Sequence, residues 1–456
     1  MQSAKRFTSG WMLLGATIAL LGLFSAVPVR VHAQEGYNAI FKSSTGCLSG
    51  GCTPSAAFID ASVFTGSDFC QKVNNALNSM TSAQAVIDAR GIHLSGGNTC
   101  ADSPFITPNT INKPSSILLP SGTITISKIW ILPNGTRIIG EGGGASGASL
   151  TTLQAASSFT GTWMIQMGPN STNPPLTACP STGCIGVSVE DLTLQGSAGV
   201  SGIINGRSQE SSYVRRVNLY QIPGTGLKVW NLAQNSGPYS DIRFDTTGAT
   251  TSATGTQCAQ ILSVPTRGIH GLTCISNTVP NAAVLLDASN NSIEDVNVSG
   301  FIDGVLVGQN AAAQSNVLLN VANALEPGVS GTVTNLIHIS NATAGNVTDL
   351  SILSATNLGS TNTIKDDVTS TTLARSTDPY VGMYVLGDPV LAAGSPVGYS
   401  RFSTSPRIPT WAVEKTTSST TPPGPCATGS ILSNPGASGS ANTLWACTGG
   451  TWANIQ

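Results

Sequence analysis

The sequence predicts an all-β fold, a single-stranded right-handed parallel β-helix with an N-terminal capping helix and a small C-terminal disulfide-stapled β module. Three observations predict it. A five-residue motif recurs every 20 to 30 residues, apolar residues alternate inside each copy, and an even set of cysteines follows an apolar leader.

The motif is two polar or small residues, an apolar residue, any residue and a second apolar residue. It appears as Glu190-Asp191-Leu192-Thr193-Leu194, Arg215-Arg216-Val217-Asn218-Leu219, Ser240-Asp241-Ile242-Arg243-Phe244, His270-Gly271-Leu272-Thr273-Cys274 and Glu294-Asp295-Val296-Asn297-Val298. Two looser copies are Ser315-Asn316-Val317-Leu318-Leu319 and Thr348-Asp349-Leu350-Ser351-Ile352. A second apolar pair precedes the later copies, as at Val229-Trp230, Ile261-Leu262 and Leu306-Val307, so each unit holds at least two strands. Alternation with period two makes these strands, and the long period makes a solenoid. Leucine-rich repeats need a fixed leucine and asparagine spacing that is absent, and propeller blades are nearly twice as long.

Residues 1–33 read as a signal peptide. Lys5 and Arg6 precede an apolar run from Trp11 to Val27, and Val31-His32-Ala33 supplies a peptidase site. Residues 34–110 hold an N-terminal segment and the capping helix, placed over Ser67 to Met80 with Ser67 or Asp68 as its cap and Phe69, Val73, Ala76, Leu77 and Met80 on one face. The β-helix spans 111–375, an irregular tail with a Thr/Ser/Pro linker spans 376–421, and the terminal module spans 422–456. In the module, Trp445 and Trp452 read first as its own small core.

The ten cysteines fall into local pairs: Cys47 and Cys52, Cys70 and Cys100, Cys179 and Cys184, Cys258 and Cys274, Cys426 and Cys447. Beyond an export leader, an even count reads as disulfides. Zinc is the rival, disfavoured by four histidines and no Cys-x-x-Cys. Charged residues make up 9% of the chain and the net charge is −2, which lacks the basic footprint of a nucleic-acid binder. With 40% hydrophobic residues the chain is not composed like a disordered one, and no second long apolar run suggests a membrane span after leader cleavage. The expected location is outside the cytoplasm, extracellular or periplasmic.

If Leu192, Val217, Ile242, Leu272 and Val296 point inward, their neighbours form outward columns. One is Asp191, Arg216, Asp241, Gly271, Asp295, Asn316, Asp349; the next is Thr193, Asn218, Arg243, Thr273, Asn297, Leu318, Ser351; a third starts Gln195, Tyr220, Asp245, Ile275, Ser299. Strand spacing sets Asp241 and Asp295 roughly 9 to 10 Å apart across Gly271. That is near the upper end of the roughly 6.5–9.5 Å at which inverting glycosidases hold an acid and a base. Asp241 and Asp295 are therefore the acid/base candidates, with Arg216, Arg243, Asp245, Gly271 and Asn297 as substrate contacts. The bland alternative is a charge ladder, in which each surface pair contributes about 0–1 kcal/mol. His270 and His338 read as isolated residues. No cofactor is predicted; Ca²⁺ between Asp191 and Asp241 lacks a dense oxygen cluster to support it. The Gly-rich stretch Gly140 to Gly147 reads as a loop without the helix and lysine of a phosphate cradle.

The run Ser116-Ile117-Leu118-Leu119-Pro120-Ser121-Gly122-Thr123-Ile124-Thr125-Ile126, with Thr136-Arg137-Ile138-Ile139-Gly140-Glu141-Gly142, resembles secreted pectate-lyase-superfamily β-helix proteins over about residues 68 to 360. The resemblance implies a carbohydrate-facing scaffold, with an extracellular polysaccharide as partner. It does not supply a catalytic set. The polygalacturonase pattern is absent: Asp366-Asp367 lies where the repeat decays, and Gly268-Ile269-His270-Gly271 is a loose echo of Gly-His-Gly. The lyase arginine pattern is absent too, since Val264-Pro265-Thr266-Arg267 has one arginine. The sequence thus points to a carbohydrate-interacting protein, as a hydrolase or lyase or as a non-catalytic surface protein, with no choice of oligomeric state.

Overall fold

The computed structural model describes residues 58–80, most of 85–367 with several connecting stretches excepted, and the strands Ile431–Asn434, Thr443–Thr448 and Thr451–Asn454. The leader 1–33, Cys47, Cys52, Asp349, the linker 416–425 and Cys426 lie outside the described residues.

The chain winds as a parallel β-solenoid whose coils contribute to three ladders. Sheet 1 stacks Ile59, Ile87, Ile117, Ile138, Val189 and Val214, then Tyr239, Ile269, Ile293, Leu318 and Ile352. Sheet 2 stacks Ile124, Leu153, Leu194, Leu219, Phe244, Cys274 and Val298. Sheet 3 stacks nine strands among the described residues, with Trp130, Ile165, Ile203, Leu227, Ala259, Val284, Val305, Ile337 and Ile364 in register. Nearly every one of these side chains is buried, so the core is one continuous column in which each coil covers the apolar face of the next.

Sheets 1 and 2 are halves of single long strands, such as Tyr213–Tyr220 and Ser292–Ser299, bent at one residue. The bend residues Asp191, Arg216, Asp241, Gly271, Asp295 and Asn320 all have φ between +50° and +70°. A residue in that left-handed conformation breaks the alternation, so positions three apart both face inward: Val214 with Val217, Ile269 with Leu272, Ile293 with Val296. This is the physical origin of the small polar residue in the repeat. Asp, Asn and Gly tolerate the conformation best among ordinary residues.

The bend also corrects the register of the looser repeats. Val296 pairs with Val321, 25 residues on, and not with Val317; Leu318 stacks inward on Ile293. Asn320 therefore occupies the column place assigned to Asn316, and Ala322 that of Leu318. Asn316 is buried in a turn, donating to the Ala288 carbonyl at 2.8 Å and accepting from Asn291 N at 2.9 Å. Val317-Leu318-Leu319-Asn320-Val321 fits the apolar pattern in two frames, and only the bend separates them.

Helix Phe69–Ser79 begins at Asp68, whose carboxylate accepts from Gln71 N, and it buries Phe69, Val73, Ala76 and Leu77 against the first coil. Disulfides join Cys70 to Cys100, Cys179 to Cys184 and Cys258 to Cys274. The last strands form a separate antiparallel sheet. Among the described residues no helix is long and apolar enough to cross a membrane.

Candidate functional site

The bend residues form a polar edge along the line where sheets 1 and 2 meet. Five of its six positions hold Asp, Asn or Gly, as the backbone asks. Arg216 is the exception, a long side chain at φ +50°. Its guanidinium makes a two-pronged pair with Asp191 one coil below, Nε to Oδ1 and Nη2 to Oδ2, both at 2.5 Å. Asp241 is one coil above Arg216 and exposed. A Cβ built on Gly271 would lie 3.2 Å from Asp241 Oδ1, so the space left by the glycine is where the Asp241 carboxylate leans. Asp295 is exposed two coils above Asp241 and accepts from Asn320 Nδ2 at 2.7 Å.

On sheet 2 the outward register runs Thr193, Asn218, Arg243, Thr273, Asn297, Ala322. Its lower end is covered. Asn218 Nδ2 donates to the Gly144 carbonyl at 2.6 Å, and a Cβ on Gly143 would meet the Leu192 carbonyl at 2.8 Å, so Gly143 and Gly144 lie flat on the strands. The open part is therefore Arg243, Thr273 and Asn297. Asp245 in the third column is buried, at 6% exposure; it accepts from Thr247 N and Oγ1 and pairs with Arg243 at 3.2 Å. Of the five substrate contacts expected from sequence, Arg216, Arg243, Gly271 and Asn297 share this accessible edge, while Asp245 sits beneath it.

Sheet 1 carries a network that the period-two reading hid, because the bend sends both Glu190 and Asp191 outward. Glu190 is 2% exposed and holds two guanidiniums: Arg137 Nη2 at 2.7 Å from Oε1 and Arg215 Nη2 at 2.8 Å from Oε2. Tyr213 Oη and Ser188 Oγ also donate to Oε1, each at 2.9 Å. Burial pushes the Glu190 carboxyl up, but Arg137, Tyr213 and Ser188 outweigh it and hold it below the usual carboxylate range. Higher in the same sheet, His270 Nδ1 lies 3.0 Å from Glu294 Oε2, so His270 is a paired residue. Arg137, Tyr213 and Arg215 reach Glu190 across 53, 23 and 25 residues of sequence, and no short motif links them.

Among the described residues, the grouping of His, Cys, Asp and Glu close enough to hold a metal is Asp68 with Cys70 and Cys100, and both sulfurs are spent on a disulfide.

The fold and this edge define a class: a parallel β-solenoid that displays a polar, arginine-bearing strip on a stacked hydrophobic column. No family model matches the chain, and no curated protein matches it. Among solved structures, the Azotobacter vinelandii mannuronan C-5 epimerase AlgE6 A-module is similar at 12% identity, covering 72% of this chain and 93% of that one with a TM-score of 0.34. The AlgE4 A-module of the same organism gives 13%, 59%, 85% and 0.27. Tailspike protein 3 of bacteriophage CBA120 gives 12%, 97%, 76% and 0.19. At that level of likeness neither substrate nor residue roles carry over.

Proposed function

We propose that this solenoid binds an extracellular polysaccharide along the edge between sheets 1 and 2. The contacts are Arg216, Arg243, Gly271 and Asn297, flanked by Arg137 and Arg215, and Asp241 and Asp295 are the acid/base pair. The observation that carries the reading is Arg216. A left-handed backbone position that Asp, Asn or Gly would fill at less cost holds the residue best suited to hydroxyl and carboxylate recognition. A linear glycan laid along the axis meets a new coil about every 4.8 Å, which suits repeated weak contacts. Asp241 and Asp295 differ in their surroundings, one leaning over Gly271 and the other accepting a hydrogen bond from Asn320.

The right-handed winding, supported by the near-universal hand of such crossovers, belongs to the same proposal. So do the export leader 1–33, the capping role of helix Phe69–Ser79 and the 422–456 module. The test is a glycan panel read for binding, reducing ends and unsaturated products. The proposal expects binding by the chain from residue 34 onward and product loss in Asp241→Ala; identical turnover in that variant removes Asp241 from the mechanism.

A second reading has its own support. The backbone alone accounts for five of the six edge residues, which suits a non-catalytic rod whose terminal module makes the contacts. Binding that vanishes on deleting 422–456, with the solenoid intact, establishes this rival.

A further inference from the structure

Near the last described coil, sheet 3 places one histidine between two carboxylates. His338 lies in strand Asn335–Ile339, Asp303 opens the strand one coil earlier, and Lys365 is paired with His338 from strand Asn362–Asp366 one coil later. Asp367 follows that last strand directly. The imidazole Nδ1 is 2.7 Å from Asp303 Oδ2, and Nε2 is 2.7 Å from Asp367 Oδ2. Asn335 Nδ2 fixes the other oxygen of Asp303 at 2.7 Å, and Lys365 Nζ lies 3.2 Å from Asp367. The ring is 12% exposed and Asp303 8%. Among the described residues, the charged groups facing His338 are Asp303, Asp367 and Lys365. The isolated histidine expected from sequence is instead the centre of a bridge.

A neutral imidazole has one N–H and one lone pair, so between two carboxylates it satisfies one and faces the other lone pair to lone pair. The imidazolium donates to both. We propose that His338 is a proton-operated latch: protonated, it ties Asp303–Val307, Asn335–Ile339 and Asn362–Asp366 together, and on losing its proton it lets the last of these coils open.

Burial pushes the His338 pKa down, but the Asp303 and Asp367 carboxylates outweigh it and the net direction is up. Burial pushes Asp367 up, and His338 and Lys365 more than reverse it, so its net direction is down. The histidine's contribution is complete below its unfolded pKa and is lost as pH rises through the raised folded value. The Asp367 contribution is present above the ordinary carboxylate range and is lost as pH falls through the lowered value. The latch is closed between those limits. Opening the last described coil would bare the edge of strand Asn335–Ile339, so pairing at that edge becomes pH-dependent.

Hydrogen exchange on the full chain tests this, with amides of 335–339 and 362–366 followed at about pH 5.5 and about pH 8.5, either side of a histidine's range, after correction for intrinsic rates. Each unit of pKa difference is worth about a factor of ten, and protection of 362–366 is expected to fall at least about threefold at the higher pH. That fall should disappear in His338→Gln. Should that variant fail to fold, Asp367→Asn at the exposed end of the bridge carries the same expectation of a reduced fall. Histidine-selective NMR should place the His338 midpoint above the ordinary 6.5. Protection that is equal at both pH values, or a midpoint at or below 6.5, overturns the latch.

Discussion

Two demands meet at Arg216: the backbone asks for a residue content with positive φ, and the surface there holds a guanidinium. Left-handed geometry costs an ordinary L-residue about 1–2 kcal/mol. Against that, the exposed pair with Asp191 returns about 0–1 kcal/mol. Arg216→Asn therefore should leave thermal stability unchanged or raise it by up to about 1 kcal/mol, as calorimetry would show. Gly271→Ala goes the other way. At φ +70° a Cβ is strained and lies 3.2 Å from the Asp241 carboxylate, so a loss of about 1–2 kcal/mol in denaturant unfolding is expected. Residue identity at the edge is mostly backbone logic, and the one residue that defies it is the one to test for function.

Within the elements, two buried polar clusters bridge neighbouring coils. Tyr239 replaces an aliphatic residue in the inward stack of sheet 1, fully buried; its hydroxyl accepts from Asn205 Nδ2 at 2.8 Å and lies 2.7 Å from Ser236 Oγ. Burial raises its pKa to about 12, so it stays a neutral phenol. Tyr239→Phe leaves one N–H of the buried Asn205 amide without its acceptor, while the bond to the Ser208 carbonyl remains, and should cost about 1–3 kcal/mol, measured by urea unfolding. On the outer side of the same sheet, Glu190 ties three coils through Arg137 and Arg215. Its lowered pKa means its stabilisation is present above the ordinary carboxylate range and is lost as pH falls through the folded value. Glu190→Gln should thus flatten the acid limb of a stability–pH curve, and an unchanged acid limb would show that other carboxylates govern it.

Across the molecule, the parallel coil was legible because stacking repeats one demand, an apolar residue inside, 25 or so residues apart. The division of the motif between two sheets and the exact frame were less so. A single left-handed residue merges two strands into one motif, which hid Glu190 and Arg215, and Val317-Leu318-Leu319 matched the pattern four residues out of register. The candidate edge was half legible: neighbours along a column follow from the repeat, while the cover of Gly144 over Asn218 and the bridge at His338 depend on contacts between distant segments. Cys258–Cys274 joins sheet 3 to sheet 2 inside the core, and replacing both residues by Ala should cost about 2–4 kcal/mol in unfolding without changing the strand register. The most direct measurement of the central claim is equilibrium binding of a panel-selected oligosaccharide to the wild-type chain and to Arg216→Asn, with folding of both verified in the same buffer. The account predicts at least about tenfold weaker binding by the variant, roughly 1.4 kcal/mol; equal affinity in a folded variant would contradict it.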